Sequence, residues 1–393
     1  MTNLHILQLN SYFIANQLHH KLTATLARKN VQQTVYIPIK SKELENRNIV
    51  DSHQLEFHYD FILKKYDRIL YKGKINKQFR RIEEKIANIE SFDLIHAHTL
   101  FSDGGTAYLL KKTYGVNYVV SVRSADIYAF YKYAVIHRPF IHKVLENASA
   151  VVFISHAYQK QTLELLPKSV VQAIEHKTKV LPNGIDDKWF EMVPLKQYVV
   201  ERKRLRLLFT GSLDKNKNLG TVLRLARSLQ YDHAVDVTVN VAGDGPLKEQ
   251  LLAERDELKL QDFVHFHGNV SIEKLRALAD ESDVFILPSY KETFGISYIE
   301  AMSRGLPIVY TRGEGIDGFF PEGVVGYSTN PDDIDEMVEK IGLILRNYDE
   351  ISDQCIEESK LFNWHDIADE YKDLYENVRN RRSKDESSNA RLI

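Results

Sequence analysis

Short apolar runs rich in β-branched and aromatic residues recur along the chain, with stretches of helical spacing between them. The first half contains LHILQLN (4–10), QTVYIPI (33–39), DLIHAH (93–98), VNYVVSV (116–122) and AVVFIS (150–155), and a further run, KVLPNG, starts at Lys179. The rhythm restarts with RLLFTGS (206–212), VDVTVNVAG (235–243), VHFHG (264–268), DVFILPS (283–289), PIVYT (307–311) and GVVGYS (323–328). Near-continuous apolar strands that alternate with helices predict parallel sheets covered on both faces. The expected fold class is therefore α/β, with two doubly wound parallel-sheet (Rossmann-like) domains in tandem and a cleft between them. The periodicity lapses between Asp186 and Leu205, where ERKR (201–204) adds a charge run, so the domains are drawn at 1–190 and 191–363. Trp364, Ile367, Tyr371, Leu374 and Val378 predict a last amphipathic helix over 364–378. From Arg379 to 393 the polar tail has nothing to bury and is expected to be disordered.

Composition changes this picture little. With 393 residues, 44% hydrophobic and 27% charged, the chain has the balance of a soluble globular protein, and its length suits two domains. A single cysteine, Cys355, offers no internal disulfide, zinc cluster or redox pair, and points to a reducing, cytoplasmic setting. MTNLHILQLNSYFIAN lacks a basic start and a cleavage site, so it does not read as a secretory signal. No uncharged apolar run approaches the ~18–20 residues that span a bilayer.

Charge is uneven: residues 1–195 carry 26 Lys+Arg against 18 Asp+Glu, and the remainder 26 against 36, giving +8 and −10. The basic excess concentrates between Lys64 and Arg81, eight Lys/Arg against Asp67 alone. Ile75, Phe79, Ile82 and Ile86 follow at helical spacing, so residues 64–81 are a candidate for peripheral contact with an anionic membrane. The competing reading, slightly favoured, packs those four side chains on the domain's own sheet. Nucleic-acid binding would need a wider basic surface.

Doubly wound sheets bind ligands at the carboxyl ends of their strands. There the densest signal is DVFILPSYKETFGISYIEAMSRGLPIVYT (283–311): a buried strand, a loop carrying Glu292, and a helix from about Gly295 to a stop at Gly305. Backbone amides at Phe294, Gly295 and Ile296 would face a phosphate or sugar edge at the helix start. Glu292 and Glu300, eight positions apart, cannot share one proton and should hold two parts of one ligand.

This segment resembles the E-x7-E signature of retaining glycosyltransferases of family four, which have the GT-B fold. The resemblance implies that Glu292 contacts the donor sugar and Glu300 the ribose of the nucleotide, with Thr293 to Ile296 around them. It also implies a C-terminal helix that crosses back onto the first domain. FTGSLDKNKNLGTVL (209–223) resembles the family's phosphate-binding loop, with Gly211 and with Lys217 as the diphosphate-binding cation; the Arg usual after the glycine is Ser212 here. VAGDGPL (241–247) and VHFHGNV (264–270) match further family strands, and Gly268, Asn269 and Val270 are expected beside the base. On the first domain, Arg123-Ser124-Ala125-Asp126 stands where the family has H-G-x-D, so Arg123 is a candidate catalytic cation and Asp126, with Asn10, an acceptor-side residue. The usual Gly-rich loop after the first strand is replaced by LQLNSYFIANQ.

The resemblance therefore implies a nucleotide-diphosphate sugar as donor substrate, a glycan or lipid-linked acceptor, and a place in cell-envelope polysaccharide assembly. No cofactor or metal is expected. Asp333-Ile334-Asp335 has the letters of a metal-binding D-x-D, but NPDDIDEMVEKI reads as a helix start, with Asn330 as cap and Pro331 as first helical residue. The pairs His96/His98 and His265/His267 read as strand-end packing rather than zinc ligands. Ser212, Arg123 and the missing glycine loop leave a non-catalytic GT-B subunit as the alternative.

Overall fold

The computed structural model describes residues 4–15, 17–68, 70–194 and 204–390; of the ERKR run, only Arg204 lies among them. The chain forms two compact units. The first comprises 1–154, 159–182 and 364–393, and the second 155–158 and 183–363. The change of unit thus falls at Pro182/Asn183, earlier than the expected junction at 190.

The first unit holds a seven-stranded parallel sheet. Its strands are β1 (His5–Leu9), β2 (Gln32–Ile39), β3 (Leu55–Phe61), β4 (Leu94–Ala97), β5 (Tyr118–Ser121), β6 (Ala150–Phe153) and β7 (Thr178–Val180), in the spatial order 3-2-1-4-5-6-7. The second unit holds β8 (Arg204–Thr210), β9 (Asp236–Ala242), β10 (Val264–Gly268), β11 (Val284–Leu287), β12 (Ile308–Thr311) and β13 (Gly326–Thr329), ordered 10-9-8-11-12-13. In each sheet the order reverses beside the first strand, at β1/β4 and at β8/β11. That is where loops on the carboxyl side diverge and leave a ligand crevice. β4, β5, β6, β11 and β12 are buried along their whole length, as continuous apolar runs require.

β3 is an edge strand that the sequence pattern does not reveal, because His58 and Asp60 interrupt its apolar residues. Asp60 is tolerated in it because Arg81 grips both its oxygens at 3.0 Å and the Tyr36 hydroxyl donates to it at 2.9 Å. The helix Tyr71–Lys85 buries Ile75 and Ile82, with Ile86 at its end also buried and Phe79 half-buried. Its apolar side is spent on the unit's own core, as the slightly favoured reading had it, and does not lie open for lipid.

The last helix begins at Trp364 and runs to Ala390. Trp364, Ile367, Tyr371, Leu374, Tyr375 and Val378 enter the first unit's core with Leu4, Ile6, Leu26 and Leu94, each large side chain contributing about 1.5–3 kcal/mol by burial. The expected disordered tail is corrected for 379–390, where the backbone continues the helix. The segment holds strong helix formers and no Gly or Pro to stop it. Residues 391–393 of that tail lie outside the described ones. Among the described residues, no helix is long and apolar enough to cross a membrane.

Candidate active site

The carboxyl ends of β8 to β12 place five loops side by side. At their centre, Lys217 from the loop after β8 meets Glu292 from the loop after β11: Nζ to Oε2 is 2.5 Å, with both side chains largely buried. These loops leave neighbouring strands across the switch point, Val284 and Phe285 pairing with Leu207 and Leu208. The topology thus brings together two residues 75 positions apart.

Each loop is fixed by its own polar groups. Asp214 accepts from the amides of Asn216 and Lys217 at 2.9 and 3.1 Å, a local turn that aims the lysine. Asn216 then ties the two loops, donating to Lys291 O at 2.8 Å and accepting from Lys291 N at 3.0 Å. Glu292 Oε1 accepts from Thr293 N at 3.1 Å, and Thr293 O accepts from the Ser155 hydroxyl at 2.6 Å.

The floor needs glycine. A Cβ on Gly243, after β9, would stand 1.9 Å from Gly211 O, so only a bare backbone lets these loops touch. Gly243 N in turn donates to Gly268 O at 2.8 Å, which carries the contact on to Gly268, exposed Asn269 and half-buried Val270. Gly268, Gly211, Lys217 and Glu292 therefore line one continuous edge. Gly295, at φ 83°, opens the helix Ile296–Met302; a Cβ there would meet the Tyr298 ring at 2.3 Å. Gly305, at φ 69°, ends the turn after that helix.

The other expected residues are less centrally placed. Ser212 is exposed beside Gly211, and Glu300 and Ile296 are half-buried on the helix. Phe294 turns its ring into a packed cluster with Phe319 and Phe362, at 6.0 and 5.8 Å between centroids, so only its backbone can meet a ligand. In the D-x-D segment the helix starts at Ile334, with the Asp333 side chain capping Glu336 N at 2.9 Å. The cap is therefore Asp333 and not Asn330, which instead accepts from Asp332 N at 3.1 Å. His267 bonds Asn240 at 2.9 Å across neighbouring strands.

Sequence reasoning missed Glu314. It is buried, accepts from Glu292 N at 2.9 Å and from Lys291 Nζ at 2.7 Å, and Gly315 N closes back on Glu292 O at 2.7 Å. Its loop thus holds the backbone of Glu292 from behind. The signal was the run GEGIDG (313–318), whose three glycines all have positive φ.

Arg123, Asp126 and Asn10 belong to the first unit. Asp126 accepts from the amides of Leu100, Phe101 and Arg123 at 2.9, 3.1 and 2.9 Å, and burial pushes its carboxyl up to about 6. It pins two loops together, and Arg123 meets it through the backbone amide. Nearby, His19, His96 and His98 form a buried group, with ring centroids 4.9 Å apart for His19–His98 and 4.0 Å for His96–His98. His96 bonds the Tyr375 and Ser121 hydroxyls at 2.7 and 2.9 Å, and His98 bonds Gln8 at 2.8 Å. Burial, with the positive charge of Arg123 added, holds His96 down at about 3 and the other two well below the usual value. His96 and His98 stand at the end of β4 and His19 packs on them from the helix Gln17–Arg28, so the three neutral imidazoles fill the buried space beside that strand end. Asn10 is buried, its side-chain Oδ1 accepting from Tyr12 N at 3.2 Å while its Nδ2 has no partner among the described residues.

Two parallel-sheet Rossmann-like units with this loop edge define the GT-B class, and comparison with known proteins agrees. The family model "Glycosyltransferase Family 4" matches residues 16–189 and "Glycosyl transferases group 1" matches 195–362. The chain belongs to this glycosyltransferase family. N-acetyl-alpha-D-glucosaminyl L-malate synthase of Bacillus anthracis is 25% identical over 307 residues, which cover 75% of this chain and 77% of that enzyme. Among solved structures, sucrose-phosphate synthase from Thermosynechococcus elongatus superposes with a TM-score of 0.72 at 19% identity, covering 96% of this chain and 99% of that one. Anabaena HepE in complex with UDP gives 0.68 at 18%, covering 96% and 100%.

Proposed function

We propose that this glycosyltransferase moves a sugar from a nucleotide-diphosphate donor to a glycan or lipid-linked acceptor with retention of anomeric configuration and without a metal ion. The observation that carries the reading is the Lys217–Glu292 pair on a glycine floor at the switch point of the second sheet. Lys217 has no covalent chemistry to do; its ammonium meets the charge that grows on the diphosphate as the anomeric C–O bond breaks, and such a preplaced donor typically supplies about 2.7–4 kcal/mol. Without donor, that ammonium rests on Glu292. Donor binding exchanges the carboxylate for phosphate oxygens and frees Glu292 to accept from sugar hydroxyls. The acceptor oxygen forms the new bond to the anomeric carbon, and its proton passes to the departing phosphate oxygen. Glu300 is assigned to the ribose, and Gly268 to Val270 to the base.

The UDP held by HepE favours a nucleotide of this kind, and the family setting favours cell-envelope polysaccharide assembly at the cytoplasmic face of the membrane. NMR of the product anomer during turnover with EDTA present tests the reading. A retained anomer formed at the rate seen without EDTA supports it; an inverted anomer, or a rate abolished by EDTA and restored by a divalent cation, overturns it.

A further inference from the structure

Two surface segments of the first unit meet at one rim. One is the turn Lys65–Arg68 that leads into the helix Tyr71–Lys85; the other is the π-helical turn Asp126–Tyr131 with the short turn Val135–His137 after it. Tyr71 joins them, its ring 4.8 Å from that of His137 and 6.0 Å from that of Phe140. Arg138 stiffens the second segment, stacking 4.7 Å over the Tyr131 ring and donating to Tyr131 O at 3.0 Å.

This rim holds large apolar side chains outward. Ile136 is 84% exposed, Tyr133 74%, Leu70 57%, Tyr66 56% and Val135 55%. Exposed lysines stand among them: Lys64, Lys65, Lys72 and Lys132. Acids are scarce along these two segments. Residues 127–145 contain no Asp or Glu, and residues 61–82 contain only Asp67, whose carboxylate is buried and taken by Lys77 at 2.7 and 2.9 Å and by Lys64 N at 2.7 Å.

We infer that this rim, residues 64–67 and 70–72 with 131–138, seats the protein on an anionic phospholipid bilayer, with Tyr133, Val135, Ile136 and Leu70 entering the headgroup–acyl boundary and the four lysines on the lipid phosphates. The chemistry selects that partner. Tyrosines favour the membrane interface because one end of the ring is apolar and the other wet. Lysines bury their stems while the ammonium stays at the headgroups, and an anionic leaflet attracts each one. An acidic protein surface would engage the lysines but would leave the exposed aliphatic tips of Val135, Ile136 and Leu70 against polar groups. The inference goes beyond sugar transfer and does not depend on it. It also moves the contact off the apolar side of the helix Tyr71–Lys85, which is already covered, to the turn before that helix and to Lys72 in its first turn.

Co-sedimentation of the full chain with vesicles tests it, using phosphatidylcholine–phosphatidylglycerol mixtures against phosphatidylcholine alone. Wild type should partition at least about tenfold more strongly to the anionic vesicles, and each lysine changed to Gln at 64, 65, 72 or 132 should cost about fivefold. The double variant Tyr133→Ser/Ile136→Ser should lose at least about tenfold. Both residues are exposed, so its melting temperature and its stabilisation by a nucleotide should match wild type, which separates loss of this surface from failure of the transferase reading. Ile136→Trp adds a local probe: its fluorescence should shift to the blue on anionic vesicles, against the buried Trp189 and Trp364. Wild type that ignores anionic vesicles, or a double variant that partitions as wild type does, overturns the inference.

Discussion

The loops that follow β1 and β8 occupy the same topological position in their two sheets, yet they are built in opposite ways. After β8, Gly211 lies against Gly243 with no room for a single methyl group, and Lys217 is carried over that floor. After β1 there is no glycine. Ser11 is bound by Asp103 through both its amide (3.1 Å) and its hydroxyl (2.5 Å), Phe13 is buried, and Asp103 also accepts from the Thr99 hydroxyl at 3.1 Å. One loop keeps backbone open for a ligand, and the other closes its backbone with side chains. The difference teaches what each loop leaves uncovered: the second unit presents bare main chain and one ion pair, whereas the first closes its loop with side-chain hydrogen bonds.

The largest expected effect breaks the open side. Lys217→Ala and Glu292→Ala should each lower kcat by about 10²–10³-fold, because a preplaced charge is lost where the reaction needs it. Rates are to be read well below the melting temperature, since each substitution leaves the other charge of a largely buried pair without its counter-ion and should lower stability. Gly243→Ala comes next. The added methyl must displace Gly211, so unfolding should be easier by about 1–3 kcal/mol and stabilisation by nucleotide should vanish with it, both read in one thermal-shift titration.

The pH response sharpens the comparison from the closed side. His19, His96 and His98 bind protons less readily folded than unfolded, so their contribution is intact above pH ~6.5 and is lost as pH falls toward the depressed value, about 3 for His96. Asp103 and Asp126, both raised to about 6 by burial, act the other way: they cost stability as pH rises from ~3.8 through about 6. Three histidines against two aspartates leave a net loss on acidification. The first unit should be the part that opens first below pH 5 in hydrogen exchange, and His96→Gln should flatten that slope. The smallest effect separates Glu314 from its partner: Glu314→Ala, which strips the Glu292 amide of its acceptor, should cost about tenfold in kcat. Lys291→Gln, which removes only the exposed ammonium and leaves buried Glu314 its bond from the Glu292 amide, should cost less than threefold.

Strands buried on both faces were legible in the sequence because their apolar runs are continuous, and β4, β5, β11 and β12 sit within the expected segments. β3 was not, since this edge strand carries exposed Glu56, half-buried His58 and buried, paired Asp60 at the cost of any clear pattern. Glu292 and Lys217 could be singled out, but their direct contact could not, because it depends on which strands are neighbours. Glu314 escaped for a related reason. A buried carboxylate in a glycine-rich loop looks like surface until the Glu292 amide that it serves is in view. The last helix was placed at Trp364 by its apolar spacing, but spacing only marks where burial stops, at Val378, and not where the helical backbone ends.

The central claim is that Lys217 and Glu292 receive a nucleotide-diphosphate sugar, and donor binding tests it most directly. Wild type, Lys217→Ala and Glu292→Ala would be titrated by thermal shift with UDP-, GDP-, ADP- and TDP-sugars in EDTA, with slow sugar release followed in parallel. The account predicts that one nucleotide class stabilises wild type without metal, that Lys217→Ala loses most of that shift, and that Glu292→Ala keeps nucleotide binding but releases no sugar. Equal stabilisation of all three proteins, or none of wild type by any of the four, would contradict it.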